Sequence, residues 1–135
     1  MLNYQNKKKY FLSADQIVQL IDSNEGCIAS DRITVDGCKV GFMYREEVSG
    51  SPYPDSGWRF MAGDEDEEYM DNADNHAIYL VNTICNYDPD IIPFLHSPPG
   101  TAFIRNERGA LVLDKEWEEP DECSETFQVL IEILC

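Results

Sequence analysis

The sequence predicts a single α+β domain, with a mostly antiparallel sheet, an N-terminal helix and short helical insertions. A chain of 135 residues is the usual size of one domain, and a hydrophobic content of 43% is enough to build a core. One region near the start has helical periodicity, and several short apolar runs bounded by turn residues follow it. Several strands with few helices are typical of the α+β class.

The first element is predicted to be a helix over residues 14–23. Ser13 and Gln16 have the spacing of a capping box, in which each side chain accepts a hydrogen bond from the backbone N–H of the other residue. One apolar stripe follows, made of Ile17, Val18, Leu20 and Ile21. Residues 24–26 supply a stop, and residues 1–12 form a lead that could be flexible.

Two extended runs, residues 27–37 and 39–48, are expected next, because both are rich in strand-forming residues. Asp36-Gly37 is a typical hairpin turn between them. Residues 49–57 form a loop by composition, and residues 58–62 resume as a strand that Gly63-Asp64 ends.

Short helical insertions and a second pair of strands are predicted for the next part of the chain. Residues 64–71 favour a short helix, since acids in a first turn complement the positive end of the helix dipole, and residues 71–75 favour a polar turn. Asp88-Pro89 is typical of a helix start, with Asp88 as the cap, and predicts one or two turns over residues 90–95. The last expected strands are residues 101–105 and 111–113, around a turn at 107–109.

The C-terminal part is an acidic segment over residues 114–125 and then an apolar run over residues 126–134. Phe127, Val129, Ile131 and Ile133 alternate as in a strand, whereas Phe127, Leu130, Ile131 and Leu134 have helical spacing. The β-branched content favours a strand, and the helical alternative stays open.

The net charge indicates the class of partner. Twenty-six acidic residues against ten Lys and Arg give a charge of −16. Such a field repels nucleic-acid phosphates and anionic membranes, and it speeds the encounter with basic proteins. The composition therefore disfavours nucleic-acid and membrane binding and favours a basic protein partner.

No window has transmembrane length, and the lysines at positions 7–9 precede no long apolar run, so we expect a cytoplasmic protein. The five cysteines show no C-x-x-C pairing and are expected to be reduced. His76 and His96 lack a zinc-like ligand spacing. We expect no metal and no cofactor.

The stretch Asp64–Glu68 contains five consecutive acids directly after a strand. No Lys or Arg lies between Arg59 and Arg105, so the basic residues nearest in sequence are too few to pair with all five acids. One interpretation is that the acids start a solvated helix. The other is that they form a surface, flanked by aromatic residues, that binds a basic partner.

The sequence supports a catalytic function less well than it supports partner binding. An EF-hand loop beginning at Asp64 would need Gly at its sixth position, where Tyr69 stands. No G-x-S-x-G motif or phosphate-binding glycine loop is present, so no catalytic set can be assembled. A small carboxylate- or metal-assisted hydrolase using Asp64, Glu65 or Asp66 remains the rival from another class.

Two aromatic residues and one arginine complete the candidate surface. Trp58 fits either the core or an interface anchor, because tryptophan is common in both. Arg59 points to the other strand face, where it could pair with an acid or reach a partner, and Tyr53 lies in a proline-flanked loop. The candidate partner-binding residues are Tyr53, Trp58, Arg59, Asp64, Glu65, Asp66, Glu67, Glu68, Tyr69, Asp71 and Asp74.

The succession of CIASDRI, KVGFMYRE, DSGWRFMAGDEDEEYMDN, NTICNYDPDIIPFL and SPPGTAF resembles a known bacterial family. That family was first catalogued as a domain of unknown function and later as predicted immunity proteins of polymorphic toxin systems. The resemblance covers about residues 26–106. The matching positions are Trp58, Arg59, Phe60, Gly63, Asp64, Glu65, Tyr69, Asn75, Tyr79, Asn82 and Asp88-Pro89.

The resemblance implies a role in neutralising a toxin delivered by a neighbouring cell. Together with the lack of an export signal and of a catalytic set, it leads us to expect a cytoplasmic immunity protein that binds a cognate protein toxin without catalysis. The acidic surface suggests a basic toxin, such as a nuclease, whose own active face is positive. An adaptor unrelated to toxins is a further alternative. The oligomeric state is left open.

Overall fold

The computed structural model describes residues 8–48 and 53–118. Six strands form one sheet: β1 Gly26–Ser30, β2 Phe42–Arg45, β3 Asp55–Met61, β4 His76–Leu80, β5 Ala102–Arg105 and β6 Leu111–Leu113. Three short α-helices join them: α1 Asp31–Thr34, α2 Glu67–Asp71 and α3 Val81–Tyr87. Three 3₁₀ turns complete the described part: Ala14–Gln16, Ala73–Asn75 and Pro89–Phe94.

The strand order is β4-β1-β3-β2-β5-β6. β1 and β3 are parallel, and the other four neighbouring pairs are antiparallel. The α+β class is therefore confirmed, and the sheet is mixed. No helix in residues 8–48 and 53–118 is long and apolar enough to cross a membrane.

The predicted N-terminal helix over residues 14–23 is wrong. The side chain of Gln16 does accept a hydrogen bond from the backbone N–H of Ser13 at 2.8 Å, but the 3₁₀ turn ends there and Ile17 is already extended. The next residues lie against α3, where Asn82 and Asn86 bind their backbone. Asn82 accepts hydrogen bonds from the N–H of Leu20 and Ile21, and Asn86 accepts one from Val18. These contacts replace the hydrogen bonds of a helix.

The predicted hairpin over residues 27–48 is also wrong. The first run is a strand only to Ser30, after which α1 begins, and β1 pairs with β3 and β4 rather than with β2. Asp36-Gly37 follows the helix: the N–H of Gly37 donates to the carbonyl of Ile33 at 3.1 Å, and Gly37 has a φ of 80°. A glycine with positive φ suits a helix end as well as a hairpin turn.

Several local predictions are confirmed with small shifts of boundary. The strand expected at residues 58–62 begins earlier, at Asp55, so part of the predicted loop is β3. Asp88 caps the turn that starts at Pro89, through a hydrogen bond from the N–H of Asp90 at 3.1 Å. The acidic helix is shorter than expected and begins at Glu67.

The two faces of the sheet are covered differently. The core face carries Trp58, Phe60, Met43 and Phe103 and packs against α1, α3 and the Pro89–Phe94 turn. The outer face carries Ile28, Tyr44, Met61 and Ala102, against which Met70, Ala73 and Trp117 pack. The apolar run at residues 126–134, whose strand or helix state the sequence leaves open, lies outside the described residues, as does most of the acidic segment 114–125.

Candidate partner-binding surface

The acidic segment, defined here as residues 64–75, leaves the sheet where β3 ends. Gly63 turns the chain with a φ of 102°, a conformation that side chains disfavour. Gly41 permits a close approach there, since a Cβ on Gly41 would lie 1.8 Å from the carbonyl oxygen of Ala62. Two glycines thus set the position from which the acidic segment starts.

Asp64 is bound by an arginine far away in sequence. Arg32, on α1, donates two hydrogen bonds to the carboxylate of Asp64, at 3.1 and 2.6 Å, and one to Asp36 at 2.8 Å. The Arg32 hydrogen bonds hold the pKa of Asp64 below its ordinary value. The sequence indicated Arg59 and Arg105 as the nearest basic residues, and in the folded chain Arg32 takes that place.

Glu65 folds back onto the sheet. Its two carboxylate oxygens accept hydrogen bonds from the N–H groups of Ala62 and Gly63, both at 2.8 Å, and from the Ser30 hydroxyl at 2.5 Å. Because Ser30 ends β1 and Ala62 follows β3, the Glu65 side chain ties these two strand ends together. It has a structural role that its position within a run of acids does not reveal.

Asp66 and Asn72 organise the rest of the segment as caps. The carboxylate of Asp66 accepts the N–H of Tyr69 at 2.7 Å and so starts α2. The side chain of Asn72 accepts the N–H of Asp74 at 3.0 Å and starts the next 3₁₀ turn. Each cap satisfies an N–H that a short helix leaves without a partner.

Of the exposed carboxylates of the segment, four differ from Asp64 and Asp66 in their contacts: Glu67, Glu68, Asp71 and Asp74. Within the described part of the chain, their side chains take part in no hydrogen bond or salt bridge. They lie within eight residues of one another, on a backbone held by the Asp66 and Asn72 caps. This is the part of the surface with concentrated, unpaired negative charge.

Tyr69 is half-buried beneath these acids. Its ring meets the His76 ring edge-on, with centroids 6.0 Å apart. Burial, with help from Asp31 and Asp36, raises the pKa of Tyr69 to about 12. Tyr69 therefore stays neutral and anchors α2 to the first residue of β4.

Trp58 and Arg59 lie inside the fold. Trp58 is buried on the core face, and its indole N–H donates to the carbonyl of Leu95 at 3.2 Å. Arg59 is buried on the outer face with Glu46 and Asp55, at 2.6 and 2.9 Å. Tyr53 is partly exposed. Of the candidate partner-binding residues, the exposed acids are thus brought together on one segment, while Trp58 and Arg59 are enclosed in the fold.

The Asp88-Pro89 element also has a structural role. Asp88 is buried and accepts hydrogen bonds from the N–H of Val40 at 2.9 Å and from Arg105 at 2.7 Å. Asn82 and Asn86 bind the backbone of residues 18–21. Sequence reasoning missed the parts played by Arg32, Ser30 and Asn86, because each acts across many residues and leaves no local pattern.

An apolar groove of about 700 Å³ adjoins the acidic segment on the outer face. Phe42, Met61, Met70 and Ile104 line it, and polar residues such as Asp64 and Lys39 border it. In residues 8–48 and 53–118, no group of three or more His, Cys, Asp or Glu side chains is placed to hold a metal ion. Cys27, Cys38 and Cys85 are free thiols, and Cys27 and Cys85 are buried.

Comparison with known proteins identifies one related family. A family model described as "Immunity protein Imm33 domain" matches residues 27–115. The match covers β1, apart from its first residue, to β6 and the whole acidic segment, and it begins after the extended residues that lie on α3. Neither the curated proteins nor the solved structures yielded a match.

Proposed function

Because the chain belongs to the Imm33 immunity-protein domain family, we propose that it neutralises a cognate toxin by binding it through the exposed acids of the acidic segment, without catalysis. The observation that carries this proposal is the set of four exposed carboxylates without an internal partner: Glu67, Glu68, Asp71 and Asp74. Like charges this close repel one another and cost stability in the free protein. Binding to a basic surface relieves this repulsion.

The chemistry of the partner follows from the charge. With a net charge of −16, the chain attracts basic proteins over distances of about 10 Å at ordinary ionic strength. A nuclease has a positive face that binds phosphate. The proposed toxin is therefore basic and of the nuclease type, met in the cytoplasm where the immunity protein is expected to act.

Binding without catalysis is favoured because the other three acids of the run at residues 64–68 already have hydrogen-bond partners within the chain. Asp64 is paired with Arg32, Glu65 accepts three hydrogen bonds, and Asp66 caps α2. A pair of catalytic carboxylates needs environments that separate their pKa values, with one acid held protonated near neutral pH. The pKa of Asp64 is lowered, whereas a protonated catalytic acid needs a raised pKa. Asp64 is therefore ionised.

The test uses charge-neutralising substitutions in the full chain. The double variant Glu67→Gln/Glu68→Gln removes two exposed charges and leaves the Asp64, Glu65 and Asp66 contacts in place. The partner to be assayed is a toxin domain encoded next to this gene in its host. We expect its association rate to fall about threefold or more at low salt, with a weaker dependence on salt, because steering acts mainly on association.

A matched control removes the same charge elsewhere. Asp22 and Glu25 are exposed and precede β1, whereas Ser30, which contacts Glu65, ends it. The two ends of this five-residue strand are about 13 Å apart. Asp22→Asn/Glu25→Gln should change association much less. Equal effects of the two double variants would show that net charge alone steers the toxin, and no effect of either would remove the acidic segment from the interface.

A further inference from the structure

The apolar groove on the outer face is built by three neighbouring strands and by α2. The register pairs Phe42 of β2 with Met61 of β3 on one side and with Ile104 of β5 on the other. At about 4.8 Å between strands, the row that these three residues form is about 10 Å long. Met70, from α2, packs against the same apolar cluster and lines the groove as well.

The groove is exposed although its lining is apolar. Ile104 is 44% exposed, and Phe42 and Met70 are only partly buried. Its volume of about 700 Å³ is as large as that of many pockets that bind small molecules. Single apolar side chains on a surface are ordinary, whereas an apolar patch bordered by polar residues is typical of a contact with another protein.

The basic residues that line the groove are already neutralised within the chain. Lys39 lies 3.6 Å from the carboxylate of Asp90. Arg105 contacts Asp88 at 2.7 Å and Asp90 at 3.1 Å. Neither cation is therefore left unpaired to repel a basic partner.

The α2 helix joins the groove to the exposed acids of the acidic segment. Glu67 precedes Met70 by three residues, so the two side chains are neighbours on the surface of the helix. Asp71 follows Met70 directly. Met70 thus faces the groove from a helix whose other side chains include carboxylates without an internal partner. A protein segment seated in the groove would pass beside these carboxylates.

We propose that the toxin inserts an apolar side chain, flanked by basic residues, into the groove lined by Phe42, Met70 and Ile104. This inference rests on the proposed function, and it adds an apolar centre to the interface that the exposed acids border. Protein interfaces commonly have a desolvated centre that supplies most of the affinity and a charged rim that steers the approach. An uncharged partner would leave the repulsion of the acids in place, and a purely cationic one would bury charge against apolar side chains.

The experiment measures the toxin-binding kinetics of groove variants in the full chain, with the toxin domain encoded next to this gene as the probe. Ile104→Thr removes apolar contact and keeps a β-branched residue in β5. Met70→Gln removes apolar contact from α2 and keeps an unbranched, helix-forming residue. Each should speed dissociation about tenfold and leave the association rate and its salt dependence within about twofold, because the loss of a short-range contact acts mainly on dissociation.

A third variant, Ile104→Glu, separates apolar contact from charge. If the groove acted only through charge, an additional acid would speed association and tighten the binding of a basic toxin. We expect the opposite: dissociation at least as fast as in Ile104→Thr, and weaker binding. The control is Val18→Thr, since Val18 is 55% exposed and lies over α3, which packs on the core face. It should leave both rates unchanged.

The results distinguish this inference from the proposed function. Unchanged dissociation of Ile104→Thr and Met70→Gln, with slow association of Glu67→Gln/Glu68→Gln, would refute the groove and keep the acids as the interface. Fast dissociation of the two groove variants, with normal association of Glu67→Gln/Glu68→Gln, would support the groove and count against steering by the acids. If the unchanged chain did not bind the toxin, both proposals would fall.

Two further outcomes would assign the groove to another occupant and overturn the inference. One is a dimer in sedimentation that Ile104→Glu dissociates, with unchanged toxin kinetics, which would assign the groove to a second copy of the chain. The other is a large fall in the Tm of Ile104→Glu, again with unchanged toxin kinetics, which would mean that the chain itself fills the groove.

Discussion

Replacing Arg59 by methionine should destabilise the protein strongly. The Arg59 side chain is 1% exposed, and it donates to Glu46 at 2.6 Å and to both oxygens of Asp55, at 3.0 and 2.9 Å. Burial lowers the pKa of the guanidinium, but the hydrogen bonds and charges of Asp55 and Glu46 outweigh it and hold that pKa above its ordinary value. Arg59→Met keeps the apolar stem and removes the charge that both carboxylates need.

The expected loss follows from the burial of the two acids that remain. The side chains of Glu46 and Asp55 are 9% and 1% exposed, so neither can be hydrated in place. Breaking a buried ion pair by removing one partner costs about 3–5 kcal/mol of the free energy of unfolding. An unfolding entropy of about 2.1 cal/mol/K per residue gives about 0.28 kcal/mol/K for this chain, so a loss of 4 kcal/mol lowers Tm by about 14 °C.

The assay is urea and thermal unfolding of three variants. Arg108→Met, at an exposed position, should stay within about 0.5 kcal/mol of the unchanged chain. Arg59→Met/Glu46→Gln/Asp55→Asn should recover at least half of the loss, because neutral amides are cheaper to bury than unpaired carboxylates. A loss below about 1 kcal/mol for Arg59→Met would refute the reasoning. If Arg59→Met stayed stable but lost toxin binding, Arg59 would belong to the interface.

Three further predictions concern the lead segment, pH and the thiols. Asn82→Ala should speed amide exchange over residues 18–21, which it binds, and leave β1 unchanged; equal protection in both proteins would contradict this assignment. Burial lowers the pKa of His76, so the folded protein favours the neutral imidazole. The free energy of unfolding should therefore fall as the pH drops below the ordinary histidine pKa of 6.5, because the unfolded chain then binds the proton more readily. In His76→Gln, the free energy of unfolding should fall less over the same pH range. Burial raises the pKa of the Cys85 thiol to about 11, so the more accessible Cys38 should react with a thiol reagent first, as peptide mapping would show.

The sequence predicts the local signals of this fold well. The cap at Asp88-Pro89 and the strand end at Gly63 are as expected, because each depends on residues close in the chain. The lead helix fails although its capping hydrogen bond forms. Asn82 and Asn86, more than sixty residues away, bind its backbone in place of helical hydrogen bonds. A local sequence pattern carries no information about such distant partners.

The candidate site shows the same limit. The concentration of acids is visible in the sequence, but which of them stay exposed is not. Asp64 depends on Arg32, and Glu65 depends on Ser30, both across more than thirty residues. Glu67 and Glu68 are exposed, and their side chains have neither a local nor a distant partner in the described part of the chain. Separating the two groups requires the fold.

The parallel pairing of β1 with β3 has a consequence for how the chain acquires its structure during translation. β1 is synthesised first, yet its two neighbours begin only at Asp55 and His76. At a synthesis rate of about 5–20 residues per second, the apolar residues of β1 wait for several seconds before either edge is paired. The antiparallel pair of β2 and β3 is local and can form earlier. We therefore expect the sheet to form first from β2 and β3 and to add β1 afterwards, although β1 is the first strand to be synthesised.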